Sequence, residues 1–269
     1  MRFEKIDLPV VNGTVVLKTY VPDAIENLTE HLLRPAVVVC GGGAYAFVSP
    51  RETEPVALRL AAQGINAYTV EYRTAPTVRY PLPVQDIAAA IAWVRAHAKE
   101  DHTDPERIAV LGFSAGGHAA ASMGVLWHKP ELSAPLGLTP EQVRPNAMVL
   151  CYPVITGGPK AHRGSFVNAT GSEDRTEHEK LSLEKQVTPN APTTFLWHTW
   201  DDEAVPVENS LLMASALKAA GVSCEMHIFQ HGHHGLSLCD PTTGGEDTNM
   251  LEPDAAQWFP LAVKFLQRL

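Results

Sequence analysis

Arg107-Ile-Ala-Val-Leu-Gly-Phe-Ser-Ala-Gly-Gly-His118 decides how this chain is read. The apolar run 107–111 has the character of a buried strand. The alanine-rich stretch Gly117–Trp127 has that of a helix, and Gly112-Phe-Ser-Ala-Gly116 joins the two. A G-x-S-x-G between strand and helix is a nucleophile elbow: the serine sits on a strained turn, with glycines where a side chain would strike the neighbouring strand or helix. The pattern alone is weak. At average usage of roughly 7% for each residue, about one chain of this length in ten carries it by chance. Its strand–helix setting and its partners elsewhere must decide.

Working outward, strand-like and helical segments alternate. The N-terminus, Val15–Val21, Pro35–Cys40, Asn66–Tyr72, Ile108–Leu111, Ala147–Tyr152, Thr193–His198 and Cys224–Phe229 read as strands. Helices are expected over Pro55–Gln63, closed by Gly64, and over Pro83–Lys99, where Ile87, Ile91, Val94 and Ala98 make one apolar stripe. Two more are expected over Val207–Ala220, closed by Gly221, and over Ala255–Leu269, where Pro260 marks a kink or second start. Asp104–Arg107 reads as a turn. This rhythm predicts one α/β domain over residues 1–269, a mostly parallel sheet with helices on both faces and no large cap domain. Ligands in such sheets bind at the carboxyl ends of the strands. Two segments break the rhythm, 155–192 and 239–253; both are expected as irregular excursions beside the site.

The 269 residues suffice for a sizeable core, and 45% hydrophobic with 19% charged residues is ordinary for a globular protein. A net charge of −9 with no basic run argues against nucleic acid or an anionic membrane as partner. No stretch of about 18 apolar residues is present, and the N-terminus lacks a signal-like apolar region. Four scattered cysteines without a C-x-x-C fit a reducing compartment, so a cytoplasmic location is expected. Oligomeric state is left open, a homo-oligomer included.

A serine hydroxyl needs a general base to act as a nucleophile, and the base needs an acid to fix its tautomer. In α/β-hydrolases these follow in the order serine, acid, histidine. The acid is expected in Trp197-His-Thr-Trp-Asp-Asp-Glu-Ala-Val-Pro206, where Asp201 and Asp202 compete and neighbouring side chains point apart. Asp202 is preferred because Asp-x-x-Val-Pro is the form of this loop in the hydrolases the segment resembles. The base is expected in Gln230-His-Gly-His-His-Gly235, where His234, preceding Gly235, is preferred over His231 and His233. A metal site is the rival reading of these histidines, but no second ligand group stands at ligand spacing. Backbone donors for an oxyanion are expected from Ala115 and, in the loop Gly41-Gly-Gly-Ala-Tyr45, from Gly42 and Gly43. Tyr45 and Trp200 are candidate walls of the substrate pocket.

Gly41–Glu52, Arg107–His118, Leu181–Pro189, Phe195–Ser210 and His227–Ser237 together resemble the bacterial α/β-hydrolase carbohydrate esterases, acetyl xylan esterase-like proteins related to the hormone-sensitive-lipase type. The likeness runs nearly end to end. It implies hydrolysis of short-chain esters, often acetyl groups on sugars, without metal or organic cofactor, by Ser114, Asp202 and His234. The implied partner is a small ester or an acetylated oligosaccharide. Three positions depart from the pattern: Ala44 replaces a glycine, Gly41 stands where His or Pro is usual, and Trp200 where a small residue is common. A serine peptidase or amidase, a feruloyl esterase of the same fold, or a non-catalytic binding protein on this scaffold are the alternative readings.

Overall fold

A computed structural model describes residues 1–27 and 31–269. Eight strands form one sheet: β1 (Arg2–Val10), β2 (Gly13–Val21), β3 (Arg34–Cys40), β4 (Asn66–Glu71), β5 (Thr103–Phe113), β6 (Ala147–Cys151), β7 (Thr193–Thr199) and β8 (Cys224–Phe229). Their spatial order is β1-β2-β4-β3-β5-β6-β7-β8. The β1–β2 and β2–β4 pairs are antiparallel, and every pair from β4 through β8 is parallel.

The parallel strands are covered on both faces, so they carry continuous apolar runs. Side chains alternate along β3: Val38 and Cys40 join one core, Val37 and Val39 the other. The first core packs against the long helix Leu82–Ala96, through Ile87, Ile91 and Val94. The second packs against α1 (Glu54–Ala61) and the C-terminal helix Trp258–Gln267, through Val56, Leu60, Trp258 and Leu266. The central helix Ser114–Leu126 is buried along its whole length. Gly64 and Gly221, with φ of 74° and 75°, end the helices before them as expected. A 3₁₀ turn, Ala255–Gln257, precedes the last helix, and Pro260 sits in that helix's first turn, the second start expected there.

Two local expectations change. Asp104–Arg107 lies within β5, not in a turn outside it. Arg34 pairs with Thr103, but Ala36 pairs with Ile108, so residues 104–107 are a bulge, and Asp104 Oδ1 accepts the Glu106 N–H at 3.0 Å inside it. The excursion 155–192 is not irregular throughout: it holds helices Arg163–Thr170 and Arg175–Lys180. They are short and bury few apolar residues, Phe166 and Ala169 among them, so little periodicity shows in the sequence. Among the described residues, no helix is long and apolar enough to cross a membrane.

Candidate active site

Ser114 follows β5 directly, with φ of 52°. That left-handed backbone costs a non-glycine residue about 1–2 kcal/mol, and it lifts the hydroxyl above the sheet end. The flanking glycines answer to close approach. A Cβ on Gly112 would lie 2.2 Å from the Gly116 carbonyl oxygen, and one on Gly116 would lie 2.3 Å from that of Gly41. The serine residue is 8% exposed, enough for access from the strand ends.

Three loops converge here. Ser114 Oγ donates to His234 Nε2 at 2.7 Å, and His234 Nδ1 donates to Asp202 Oδ2 at 2.6 Å. The carboxylate on Nδ1 leaves Nε2 free to accept a proton. Asp202 is fully buried at its side chain. Its Oδ1 accepts the Ala204 and Val205 N–H groups at 3.0 and 2.9 Å, and Oδ2 also lies 3.2 Å from His198 Nε2. Burial pushes this carboxyl up, but hydrogen bonds from His198 and His234, the His234 charge and the Val205 N–H together hold it well below the usual carboxylate range. Asp201 points elsewhere. Its exposed carboxylate takes His231 Nδ1 at 3.0 Å and the Gly232 N–H at 2.8 Å. His231 and Asp201 therefore brace the two loops, and His233, on the histidine loop, is exposed.

The oxyanion loop differs from expectation at one glycine. The Gly42 N–H does not face the serine: it donates to the buried Glu52 Oε2 at 2.8 Å. Gly42 itself packs close, and a Cβ there would meet Ser114 Cβ at 2.9 Å. The next two residues turn through positive φ, 119° at Gly43 and 54° at Ala44. Among the described residues, neither of their N–H groups has an acceptor. Ala115, in the first turn of its helix, has an N–H with no carbonyl one turn behind it. Gly42 is thus replaced by Ala44 as the second unpartnered donor of this loop. The sequence hid this because the direction of a peptide N–H is fixed by Glu52, ten residues away.

Tyr45 does not line an open pocket. It is 2% exposed, its hydroxyl lies 2.8 Å from His118 Nδ1, and its ring meets Tyr72 and His118 edge-on. The positive φ at Ala44 and Tyr45 turns the ring inward. Trp200 is 62% exposed, beside Asp201 on the rim. A cleft of about 430 Å³ opens at His234, lined by Glu203, Ala204, His233, Asp247, Asn249 and Met250, so the 239–253 segment forms one wall. His162 is a neighbour that the sequence did not flag. It caps the helix Arg163–Thr170, its Nδ1 accepting the Ser165 N–H, and burial followed by the charge of His234 pushes its pKa down. No group of three or more metal-ligating side chains is gathered among the described residues.

The chain as a whole is similar to known proteins. The BD-FAE family model aligns with residues 20–217. The chain belongs to the BD-FAE family of α/β-hydrolases. It is 38% identical to an acetyl ester-xyloside bifunctional hydrolase from Caldicellulosiruptor lactoaceticus, with a TM-score of 0.80 over 96% of this chain and 89% of that one. A carboxylesterase from Lactobacillus plantarum superposes with a TM-score of 0.88 at 31% identity, covering 100% of this chain and 98% of its own. Endo-1,4-beta-xylanase B of Butyrivibrio fibrisolvens is 33% identical over 82% of this chain. The acetylxylan esterase of Xylanibacter ruminicola is 31% identical over 78%. The chain spans 35% and 43% of the length of these last two relatives. The fold is the α/β-hydrolase fold, with a mostly parallel sheet and, among the described residues, no large cap.

Proposed function

We propose that this BD-FAE family member is a serine esterase that removes short acyl groups, acetyl above all, from carbohydrate such as acetylated xylo-oligosaccharides. The observation that carries the reading is the continuous chain from Ser114 Oγ through His234 to Asp202, at 2.7 and 2.6 Å. In such a chain the histidine takes the serine proton as general base, while the carboxylate holds its tautomer and stabilises the imidazolium, which makes the serine a nucleophile at neutral pH. The names of the Caldicellulosiruptor and Xylanibacter relatives support acetylated sugar as the substrate class.

In the proposed cycle Ser114 Oγ bonds to the ester carbonyl carbon while its proton passes to His234 Nε2. Asp202 stabilises the imidazolium and keeps Nδ1 protonated. The oxyanion receives the N–H groups of Gly43, Ala44 and Ala115, which are preorganised and need no reorientation as charge develops. Collapse breaks the ester C–O bond, and His234 returns the proton to the leaving alcohol. Water, deprotonated by the same histidine, then releases the acid and restores Ser114. The cleft beside His234 offers Glu203, Asp247 and Asn249 to a hydroxyl-rich leaving group. The test sets Ser114→Ala against the native enzyme on p-nitrophenyl acetate and on acetylated xylo-oligosaccharides. Loss of several orders of magnitude in kcat is expected, and native-like turnover by the alanine variant would overturn the reading.

A further inference from the structure

We infer that Glu52 is a positioning residue that sets the oxyanion loop and the histidine loop in one frame around Ser114. It ends a 3₁₀ turn, Pro50–Glu52, and is 4% exposed. Among the described residues it makes no ion pair with a basic group. A buried carboxylate is strongly disfavoured unless its oxygens are hydrogen-bonded, and both of these are. Oε2 accepts the Gly42 N–H at 2.8 Å, and Oε1 accepts the Tyr152 hydroxyl at 2.7 Å.

Each bond leads to a group that the proposed reaction uses. Gly42 touches Ser114 and precedes the two unpartnered donors of the oxyanion loop, so fixing its peptide plane aims the N–H groups that follow. Tyr152 accepts the Ser237 N–H at 2.9 Å on the same hydroxyl, and its ring meets the His234 ring edge-on, centroids 5.1 Å apart at 71°. Ser237 is three residues past His234, and its Oγ donates to the Arg51 carbonyl at 2.7 Å, beside Glu52 in the chain. Burial, then the charge of Glu52, drives the Tyr152 hydroxyl far above its usual pKa, so it stays a donor to the carboxylate. An ionised carboxylate is acceptor-only and suits two donors from opposite sides; a glutamine in its place offers one acceptor and one donor. Glu52 touches no substrate in this scheme and acts through the groups it holds.

This inference rests on the esterase reading. The Ser114→Ala comparison tests that reading by itself, while the present test compares variants with active native enzyme. Glu52→Gln, Glu52→Ala, Tyr152→Phe and the Glu52→Gln/Tyr152→Phe pair are assayed with p-nitrophenyl acetate and with a short alkylboronic acid, whose tetrahedral adduct on Ser114 puts an oxygen in the oxyanion site. Misaligned groups about 1 Å off cost roughly 100-fold. We expect kcat to fall about tenfold in Glu52→Gln and roughly 100-fold in Glu52→Ala, with KM within about twofold, because the loss falls on the transition state. The boronate inhibition constant should rise in parallel. The double variant should lose little more than the worse single, since both cuts break one chain. Should Glu52→Ala not fold, Glu52→Gln and Tyr152→Phe carry the test. Folded variants with kcat and boronate affinity within about twofold of native, whatever their Tm, or a double loss equal to the product of the singles, would overturn the inference.

Discussion

On the proposed esterase reading, replacing Asp202 with asparagine should cost about 10⁴ in kcat, and the structure says why the asparagine cannot escape the loss. An amide has one acceptor oxygen and one donor nitrogen, and it could in principle turn either toward His234. Here the choice is made by the backbone. Oδ1 of Asp202 accepts two N–H groups, from Ala204 and Val205, at 3.0 and 2.9 Å. The amide oxygen must take that place, because an NH₂ there would face two donors. Its NH₂ is then forced to the Oδ2 position, which faces His234 Nδ1 at 2.6 Å. Nδ1 becomes an acceptor, the proton moves to Nε2, and Nε2 can no longer accept from Ser114. In a Ser-His-Asp triad such a wrong tautomer is worth about 10⁴ in kcat, or roughly 5 kcal/mol of transition-state energy. The fold should survive, because His198 Nε2 keeps the Val205 carbonyl at 2.9 Å as its acceptor. The assay is kcat and KM on p-nitrophenyl acetate, beside circular dichroism and the matched Asp201→Asn variant. Asp201 is exposed and bonded to His231 and Gly232, so its amide should stay within about threefold of native, as a surface pair is worth about 0–1 kcal/mol. If Asp202→Asn keeps more than a tenth of native kcat, or if Asp201→Asn proves the worse of the two, the reasoning is refuted.

Gly116→Ala should destabilise by about 3 kcal/mol or more, since its Cβ would press on two backbone oxygens at 2.3 and 2.4 Å that cannot swing aside; a Tm fall on the order of 10 °C by calorimetry is the expected reading. Ala44→Gly relieves a left-handed alanine at φ 54° and leaves the N–H in place, so kcat should stay within about threefold; a tenfold fall in steady-state kcat would remove Ala44 from the oxyanion reading. His118 is buried, its Nε2 donating to the Leu181 carbonyl at 3.0 Å and its Nδ1 accepting from Tyr45, and burial pushes its pKa down to about 4. Between an unfolded pKa of about 6.5 and about 4, the unfolded chain binds a proton that the native protein does not, so stability falls as pH drops through that window, by about 3 kcal/mol from this group. Urea titrations at pH 7 and pH 4 should show a smaller acid loss in His118→Gln than in the native protein; equal losses would exclude His118 as a source.

The alternation of strands and helices was legible because it rests on short-range signals, and so was the grouping of Ser114, Asp202 and His234, which the structure brings within hydrogen-bond distance of one another. The elbow joins an apolar run to an alanine-rich helix within twelve residues, and the acid and histidine loops each follow a recognisable strand. Because neighbours point apart on a loop, only one of Asp201 and Asp202 can face the histidine, and the Asp-x-x-Val-Pro form of the segment favours Asp202. What stayed hidden depends on partners distant in the chain. The direction of the Gly42 N–H is set by Glu52, and Glu52 in turn is met by Tyr152, 100 residues on. Tyr45, following the glycine loop, reads as a wall of the substrate pocket, but its hydroxyl bonds to His118 and the ring is buried. The helices at 163–170 and 175–180 fill a gap beside the sheet with polar, weakly periodic sequence, so their helicity comes from packing and caps such as Asp174, whose side chain accepts the Thr176 N–H.

The departures from the family pattern then acquire a common sense. A glycine loop normally lets the backbone pass through positive φ without cost. Here Ala44 makes that turn with a side chain, and the turn is held from both ends. Before it, Gly42 is bonded to Glu52; after it, Tyr45 is bonded to His118, and the Asn168 side chain donates to the Ala44 carbonyl at 2.9 Å. Three anchors on a strained residue keep two N–H groups unpartnered beside a serine that is itself strained at φ 52°. Strained backbone persists only where the surroundings over-determine it. The anchors come from the turn after β3, from the central helix and from the 163–170 helix, so the excursion that interrupts the α/β rhythm is part of what holds the donors in place. Its removal should therefore weaken transition-state binding at a site its own side chains need not touch.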